Sequence, residues 1–467
     1  MASFLAYLGD ALSIQKRFVN ITSTTNNVTK NGDGLLEGVA INRIKSTISQ
    51  KILGIDSNKT YVHMDFAVQS SDELIELKTG SLQRMATNLV SKTINTDNGV
   101  SRNVMRQVSA MPKYAKSLLK RQHLPFENIV IQNKKVYYSV ELEVGSDNQP
   151  VSVVLDTGSS DLWVPTFQLS AGIGYFNPDT STSYQSSNSS FGISYGDGTY
   201  AIGTWGNDTV SIGEDVNVNN VILGVVDNCT ASQGVLGIGL QGNEAQGKNY
   251  SNMPMLLQQQ GYLDNITYSL YLDSADSGSG SILFGAIDLE KYQGELTTLP
   301  LVNINDGGMS TEVPVAFFVN VTSIDGTDST LAETTYPGLL DSGTTLLYAP
   351  TEVYEAIGEK YGMKSEVGYV HFCDAWKGQN LTFNFENDLQ IRVPMDDMMY
   401  KLSYNNGSTV SVLGLDMCLV GVLESPGDYY VLGDNFLRSA YVHYDLTNGV
   451  VSMAQVKYTD NSLIQLV

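Results

Sequence analysis

Val153-Val154-Leu155-Asp156-Thr157-Gly158-Ser159-Ser160 reappears later in the chain as Gly338-Leu339-Leu340-Asp341-Ser342-Gly343-Thr344-Thr345. In both stretches an apolar run enters an aspartate and then passes through hydroxyl, glycine and hydroxyl. The apolar residues read as a buried strand, and the glycine as the turn that ends it. Such a strand delivers its carboxylate at the rim of a hydrophobic layer, beside its neighbours' hydroxyl and backbone donors. A second element follows each copy. Val235-Leu236-Gly237-Ile238-Gly239 places Gly237 81 residues after Asp156, and Val431-Leu432-Gly433-Asp434 places Gly433 92 residues after Asp341. Two elements repeated in order, at similar separation, predict two lobes of common design with a boundary near Leu296 to Leu301.

The rest of the body agrees with strands. Short apolar or alternating runs at Val136 to Val144, Val151 to Leu155, Val221 to Val226 and Ser281 to Phe284 are broken by Gly, Asn, Asp and Ser. With 43 glycines and few long helical periods, the expectation is an all-β body. Short helices are expected near Met253 to Gln260 and Thr351 to Tyr361.

The chain has 467 residues, 42% of them hydrophobic, enough for two or three packed cores and too apolar for a disordered chain. Its net charge of −22 makes nucleic acid an unsuitable partner, and its apolar runs are too short to span a membrane. The charge is uneven. Residues 1 to 121 carry 16 Lys/Arg and 9 Asp/Glu, a net of +7; the remainder carries 11 and 40, a net of −29. A basic segment attached to an acidic body is attracted to it, and the attraction weakens as carboxylates protonate. We therefore read residues 1–121 as a removable pro-segment ending at the dibasic pair Lys120-Arg121, the type of site that secretory processing proteases cut. Helices over Leu74 to Leu89 and Val104 to Leu119 are the only elements the segment suggests.

Only 16% of residues are charged, so Ser, Thr, Asn, Gln and Gly must keep the surface polar, as suits an extracellular protein. Sequons stand at Asn20, Asn27, Asn58, Asn188, Asn207, Asn228, Asn249, Asn265, Asn320, Asn380 and Asn406. Ala2 to Leu8 is apolar, but Asp10 interrupts it and no cation precedes it, which makes a poor signal peptide as written. The last residues, Ile464 to Val467, carry no lipid-anchor tail, so a soluble product is expected. Of three cysteines, Cys373 and Cys418 flank a segment that one disulfide could close, leaving Cys229 inside a sequon. Three buried thiols are the alternative.

Two aspartates brought face to face by a pseudo-twofold axis cannot both ionise freely and come to share one proton. The ionised member draws a proton from a water between them, and the protonated member polarises a carbonyl. At this point the motifs become specific. Asp156-Thr157-Gly158-Ser159-Ser160-Asp161-Leu162-Trp163-Val164-Pro165 with Asp341-Ser342-Gly343-Thr344-Thr345 resembles the pepsin-type aspartic proteases. Leu432-Gly433-Asp434-Asn435-Phe436-Leu437-Arg438-Ser439-Ala440-Tyr441 is similar to the secreted yeast enzymes of the candidapepsin, yapsin and barrier-pepsin group. The match covers about residues 130 to 458.

The resemblance implies an all-β, bilobal fold with a central active-site cleft and a flap hairpin, preceded by the pro-segment. The first lobe would run over 122–298 and the second over 299–467. It implies an aspartic endopeptidase, made as a zymogen and secreted as a monomer, hydrolysing extended polypeptides at acidic pH without cofactor or metal. Asp156 and Asp341 would be catalytic. Ser159 and Thr344 would hydrogen-bond their outer oxygens, with Gly158 and Gly343 donating backbone N–H groups near the inner ones. Ser194-Tyr195-Gly196-Asp197-Gly198-Thr199 fits the flap by place and turn chemistry, and Tyr195 is expected to meet the indole N–H of Trp163. Asp197 resembles the flap acid of fungal members that accept Lys or Arg beside the scissile bond; a solvated turn aspartate is the other reading. Cys373 and Cys418 fit the second-lobe disulfide. The group's first-lobe disulfide is missing, because Thr166 to Ser190 holds no cysteine. Pro112-Lys113-Tyr114 resembles the Lys-Tyr pair that plugs some zymogens, although cleavage at Lys120-Arg121 by another protease is the favoured activation route.

Other classes fit less well. Glycosidases also use two carboxylates but need no repeated Asp-hydroxyl-Gly motif. His63, His123, His371 and His443 offer no two-histidine metal spacing and no partner for a serine nucleophile. A catalytically inactive pepsin-fold binding protein remains the alternative, although such proteins usually lose one aspartate or its glycine and both motifs are intact here.

Overall fold

The computed structural model describes residues 62–69, 129–131 and 137–467, apart from 171, 213–215, 305–313, 366–367 and 405–407. Lys113, Lys120, Arg121 and the helices expected over 74–89 and 104–119 lie outside the described residues. The fold is all-β and bilobal, with strands throughout and helices at Met253–Gln259, Thr351–Tyr361 and Asp434–Leu437 among the described residues. In Thr351–Tyr361 the buried side chains Val353, Tyr354, Ile357 and Tyr361 recur every three or four residues, so one face is covered by the body.

Alternation builds the first hairpin. Tyr138, Val140, Leu142 and Val144 point inward from Tyr137–Val144, while Glu141 and Glu143 face solvent. This strand pairs antiparallel with Gln149–Asp156 through a turn in which Gly145 and Asn148 both take positive φ. The second strand buries Val151, Val153 and Leu155 and ends on Asp156.

From there the repeated design is visible in strand order. Gln149–Asp156 lies parallel to Gly234–Gly237, which pairs antiparallel with Leu162–Pro165, which in turn lies parallel to Val216–Cys229. The second copy repeats the arrangement: Tyr336–Leu340 lies parallel to Tyr430–Leu432, which pairs antiparallel with Leu347–Ala349, itself parallel to Val422–Glu424. Each aspartate therefore ends one strand of a pair separated by the strand that carries the second repeated element.

Gly237 and Gly433 are explained by close approach. A Cβ on Gly237 would sit 2.5 Å from the Asp161 nitrogen, and one on Gly433 would sit 2.5 Å from the Leu346 carbonyl oxygen, so the backbone leaves no room for a side chain. The strand's end then grips the aspartate loop. Ile238 N–H donates to the Asp156 carbonyl (2.9 Å) and Asp434 N–H to the Thr344 carbonyl (2.7 Å).

One continuous sheet joins the halves, with strands in the order Thr297–Pro300, Val450–Gln455, Ala440–Asp445, Thr267–Tyr271, Ser279–Phe284, Val62–Gln69 and Tyr137–Val144 before it enters the first repeat. The boundary expected near residue 298 falls inside this sheet. Below the aspartates, Tyr268 stacks on Tyr444 at 4.8 Å and Phe317 packs edge-on against Tyr444 at 4.7 Å, an aromatic block drawn from both halves. Val62–Gln69 pairs antiparallel on both sides, although the sequence suggested no strand there. The Cys373–Cys418 disulfide links the paired segments Gly368–Phe372 and Leu415–Val420 in the second half. Cys229 is a half-buried free thiol whose pKa burial pushes up.

Candidate active site

The two aspartates meet. Each carboxyl group lies against the glycine of the other's loop. A Cβ on Gly158 would stand 2.5 Å from Asp341 Oδ1, and one on Gly343 would stand 2.5 Å from Asp156 Oδ1. A side chain at either position would occupy the space of the opposite carboxyl group.

The donors are symmetric. Gly158 N–H donates to Asp156 Oδ1 (2.7 Å) and the Ser159 hydroxyl donates to Asp156 Oδ2. Gly343 N–H donates to Asp341 Oδ1 (2.9 Å) and the Thr344 hydroxyl to Asp341 Oδ2 (2.7 Å). Thus Gly158, Ser159, Gly343 and Thr344 stand where the sequence reading put them. Burial pushes both carboxyl groups above the ordinary aspartate range. The Asp156 charge raises Asp341 further, while the Ser159 hydroxyl and Gly158 N–H pull Asp156 back down. A pair so placed favours a single shared proton.

A second set of contacts escaped the sequence reading. The Thr157 hydroxyl donates to the Leu340 carbonyl (2.8 Å) and accepts the Ser342 N–H (3.0 Å). The Ser342 hydroxyl donates to the Leu155 carbonyl (2.8 Å) and accepts the Thr157 N–H (3.1 Å). Each hydroxyl thus bridges two backbone groups of the opposite loop, and all four bonds are buried. The signal was a hydroxyl residue directly after both aspartates.

Above this pair stands the hairpin Gln185–Ser194 and Tyr200–Ile212. Its tip closes through Tyr195 N–H to the Thr199 carbonyl (2.9 Å) and Gly198 N–H to the Tyr195 carbonyl (3.0 Å), with Gly198 at φ +84°. Trp163 Nε1–H donates to the Tyr195 hydroxyl at 2.7 Å, the contact expected of this pair. Burial and the charge of Asp156 push the Tyr195 phenol well above its ordinary pKa, so the hydroxyl stays neutral. Gly196 and Asp197 are exposed at the tip. Asp197 Oδ1 accepts from the Thr199 backbone N–H (2.8 Å) and hydroxyl (2.7 Å), so this carboxylate shapes its own turn.

Buried carboxyls beyond the pair were also not foreseen. Asp161 is fully buried, accepting from the Tyr250 hydroxyl (2.8 Å) and the Ala245 N–H (2.8 Å). Glu244 is 2% exposed; its Oε2 accepts the Tyr250 N–H (2.8 Å), and its Oε1 has no hydrogen-bond partner among the described residues. Burial first, opposed by the Tyr250 N–H and aided by the Asp161 charge, raises Glu244 to about 7. Asp434 is also fully buried and held well above the aspartate range by burial, which the Arg438 charge opposes.

Comparison with known proteins agrees with this geometry. Residues 137–456 match the model of the eukaryotic aspartyl protease family. The chain is 46% identical over 337 residues to an acid protease of Saccharomycopsis fibuligera, covering 71% of this chain and 83% of that protein. It is 36% identical over 364 residues to candidapepsin-3 of Candida albicans (74% and 85% covered) and 35% identical over 351 residues to secreted aspartic protease 5 of that organism (72% and 79% covered).

Proposed function

The chain belongs to the eukaryotic aspartyl protease family and is an aspartic-type endopeptidase acting on polypeptides; from that premise we propose that it is a secreted, monomeric zymogen hydrolysing extended polypeptides in acid. The observation that carries the reading is the close apposition of buried Asp156 and half-buried Asp341, each carboxyl lying against the other loop's glycine and each with its own hydroxyl and N–H donors. In acid the pair holds one proton. The carboxylate takes a proton from a water held between the two side chains as that water's oxygen attacks the peptide carbonyl carbon, and the protonated partner donates its hydrogen to the carbonyl oxygen. As the tetrahedral intermediate collapses and the C–N bond breaks, the leaving nitrogen takes up the dyad's proton while one hydroxyl of the diol returns its proton to the other carboxylate. The single shared proton is thereby restored, and no covalent bond to the enzyme forms. Tyr195, kept neutral and oriented by Trp163, closes over the substrate, and the hairpin's backbone offers strand-like hydrogen bonds to an extended chain.

The zymogen reading draws support from Val62–Gln69. This strand precedes Lys120-Arg121, yet it pairs with both Ser279–Phe284 and Tyr137–Val144. The basic segment is thus anchored in the acidic body, and cleavage after Arg121 by a processing protease would sever it from the catalytic halves. Secretion is supported by the relatives' names, by the disulfide, and by exposed sequon asparagines at 188, 228, 249, 265 and 380. No helix among the described residues is long and apolar enough to cross a membrane.

The test is cleavage of a denatured protein at pH 3 to 6 by material cut after Arg121, with and without a pepstatin-type statine inhibitor. Asp156→Asn and Asp341→Asn should each lower the rate by at least about a hundredfold. Full activity in either variant would overturn the mechanism.

A further inference from the structure

The segment Gln241–Tyr250 touches both the loop that carries Asp156 and the base of the flap hairpin. Toward the aspartate loop it makes three hydrogen bonds. Asn243 Nδ2–H donates to the Gly158 carbonyl (2.9 Å), Ala245 N–H to Asp161 Oδ2 (2.8 Å), and the Tyr250 hydroxyl to Asp161 Oδ1 (2.8 Å). Toward the flap, Gln246 Oε1 accepts the Trp205 indole N–H (3.0 Å), and the Tyr250 ring packs edge-on against Trp205 at 5.8 Å. Trp205 is 2% exposed and also packs edge-on against Phe191 of the facing flap strand at 4.8 Å.

Two local features fit Gln246 to this place. Its backbone is left-handed, φ +57°, a region that side chains other than glycine avoid. Its amide lies by Gly192, where a Cβ would come 3.6 Å from Nε2. Trp205 itself stands where the hairpin's pairing is interrupted: Ser186 pairs with Gly206 and Ser190 with Thr204, so residues 187 to 189 bulge opposite it. A bulge is a natural point of bending. The contact thus fastens the hairpin at its bend, well below the Tyr195 tip.

We propose that Gln241–Tyr250 is a bridge that sets the height of the flap above the aspartate pair, with Gln246 and Tyr250 as positioning residues for peptide hydrolysis. The proposal rests on the protease reading and deepens it. Trp163 holds the tip directly, and Asp161, two residues earlier, holds the bend through Tyr250. Because these anchors lie on the catalytic loop itself, flap and carboxylates keep one frame of reference. Loosening the bridge should weaken flap closure on a bound chain while leaving the aspartates intact.

The experiment uses the processed enzyme and a long peptide substrate at pH 4. Gln246→Leu removes the acceptor, Tyr250→Phe removes the hydroxyl, and Gln246→Glu keeps an acceptor oxygen at the same reach. Each of the first two should raise KM and the statine inhibition constant about three- to tenfold with kcat within about twofold of the parent. Gln246→Glu should restore both constants, and the Gln246→Leu/Tyr250→Phe double variant should cost less than the product of the singles. Unchanged KM and inhibition constant, loss of kcat alone, failure of Gln246→Glu to restore, or multiplicative effects would overturn the bridge. A variant with lowered thermal stability but unaltered KM would assign the segment a purely structural role and overturn it equally. Activity persisting in Asp156→Asn would instead overturn the protease reading, so the two failures are distinct.

Discussion

Replacing Glu244 by Gln should stabilise the protein near neutral pH and leave it unchanged in acid. In the folded chain this carboxyl ionises at about 7, against 4.5 for an ordinary glutamate, because burial disfavours the charged form and Asp161 adds like charge. That gap corresponds to at most about 3 kcal/mol. The folded pKa is raised, so the favourable contribution is complete below 4.5 and is lost as pH rises to about 7. Glutamine stays neutral throughout and keeps an oxygen for the Tyr250 N–H. Asp161, whose pKa burial also raises, lies on the aspartate loop and pushes the pH dependence in the same direction; Tyr250 contributes a neutral hydroxyl. The assay is thermal unfolding of Asp156→Asn and Asp156→Asn/Glu244→Gln chains from pH 4 to 8, the first substitution preventing self-digestion. The curves should coincide at pH 4 and separate by several degrees by pH 7.5. Parallel curves across the whole range would refute the assignment.

Three further outcomes follow from the geometry. Thr157→Val removes a hydroxyl that makes two buried bonds across the halves, and should lower unfolding stability by about 1–3 kcal/mol in denaturant titration. Gly158→Ala places a methyl group against the Asp341 carboxyl and should abolish peptide hydrolysis, while far-ultraviolet circular dichroism still reports the strand content. Cys373→Ser opens the disulfide and should cost about 3–4 kcal/mol, read as an earlier denaturation midpoint at unchanged pH.

Much of the site was legible because its chemistry is written locally and twice. Asp156 and Asp341 announce themselves by repeated turns, and Ser159 and Thr344 follow at fixed offsets. Trp163 and Tyr195 were paired on the family resemblance, and the 2.7 Å contact agrees. The exchange between Thr157 and Ser342 was hidden, since a bond across 185 positions leaves no mark in a single chain. Glu244 and Asp161 look like ordinary loop charges until burial is known. Gly237 and Gly433 were readable as a repeat, but only backbone proximity explains why neither tolerates a side chain. Val62–Gln69 was missed because its pairing partners lie far downstream, at Tyr137–Val144 and Ser279–Phe284. The helices Met253–Gln259 and Thr351–Tyr361 stand where short helices were expected.

That inserted strand bears on how the enzyme should be made. Transcripts shortened to begin at residue 122 would ask the polypeptide to assemble around a gap between Ser279–Phe284 and Tyr137–Val144, with two unsatisfied edges inviting aggregation. Manufacture from the long form, trimmed only once folding is complete, keeps those edges covered when they are most vulnerable.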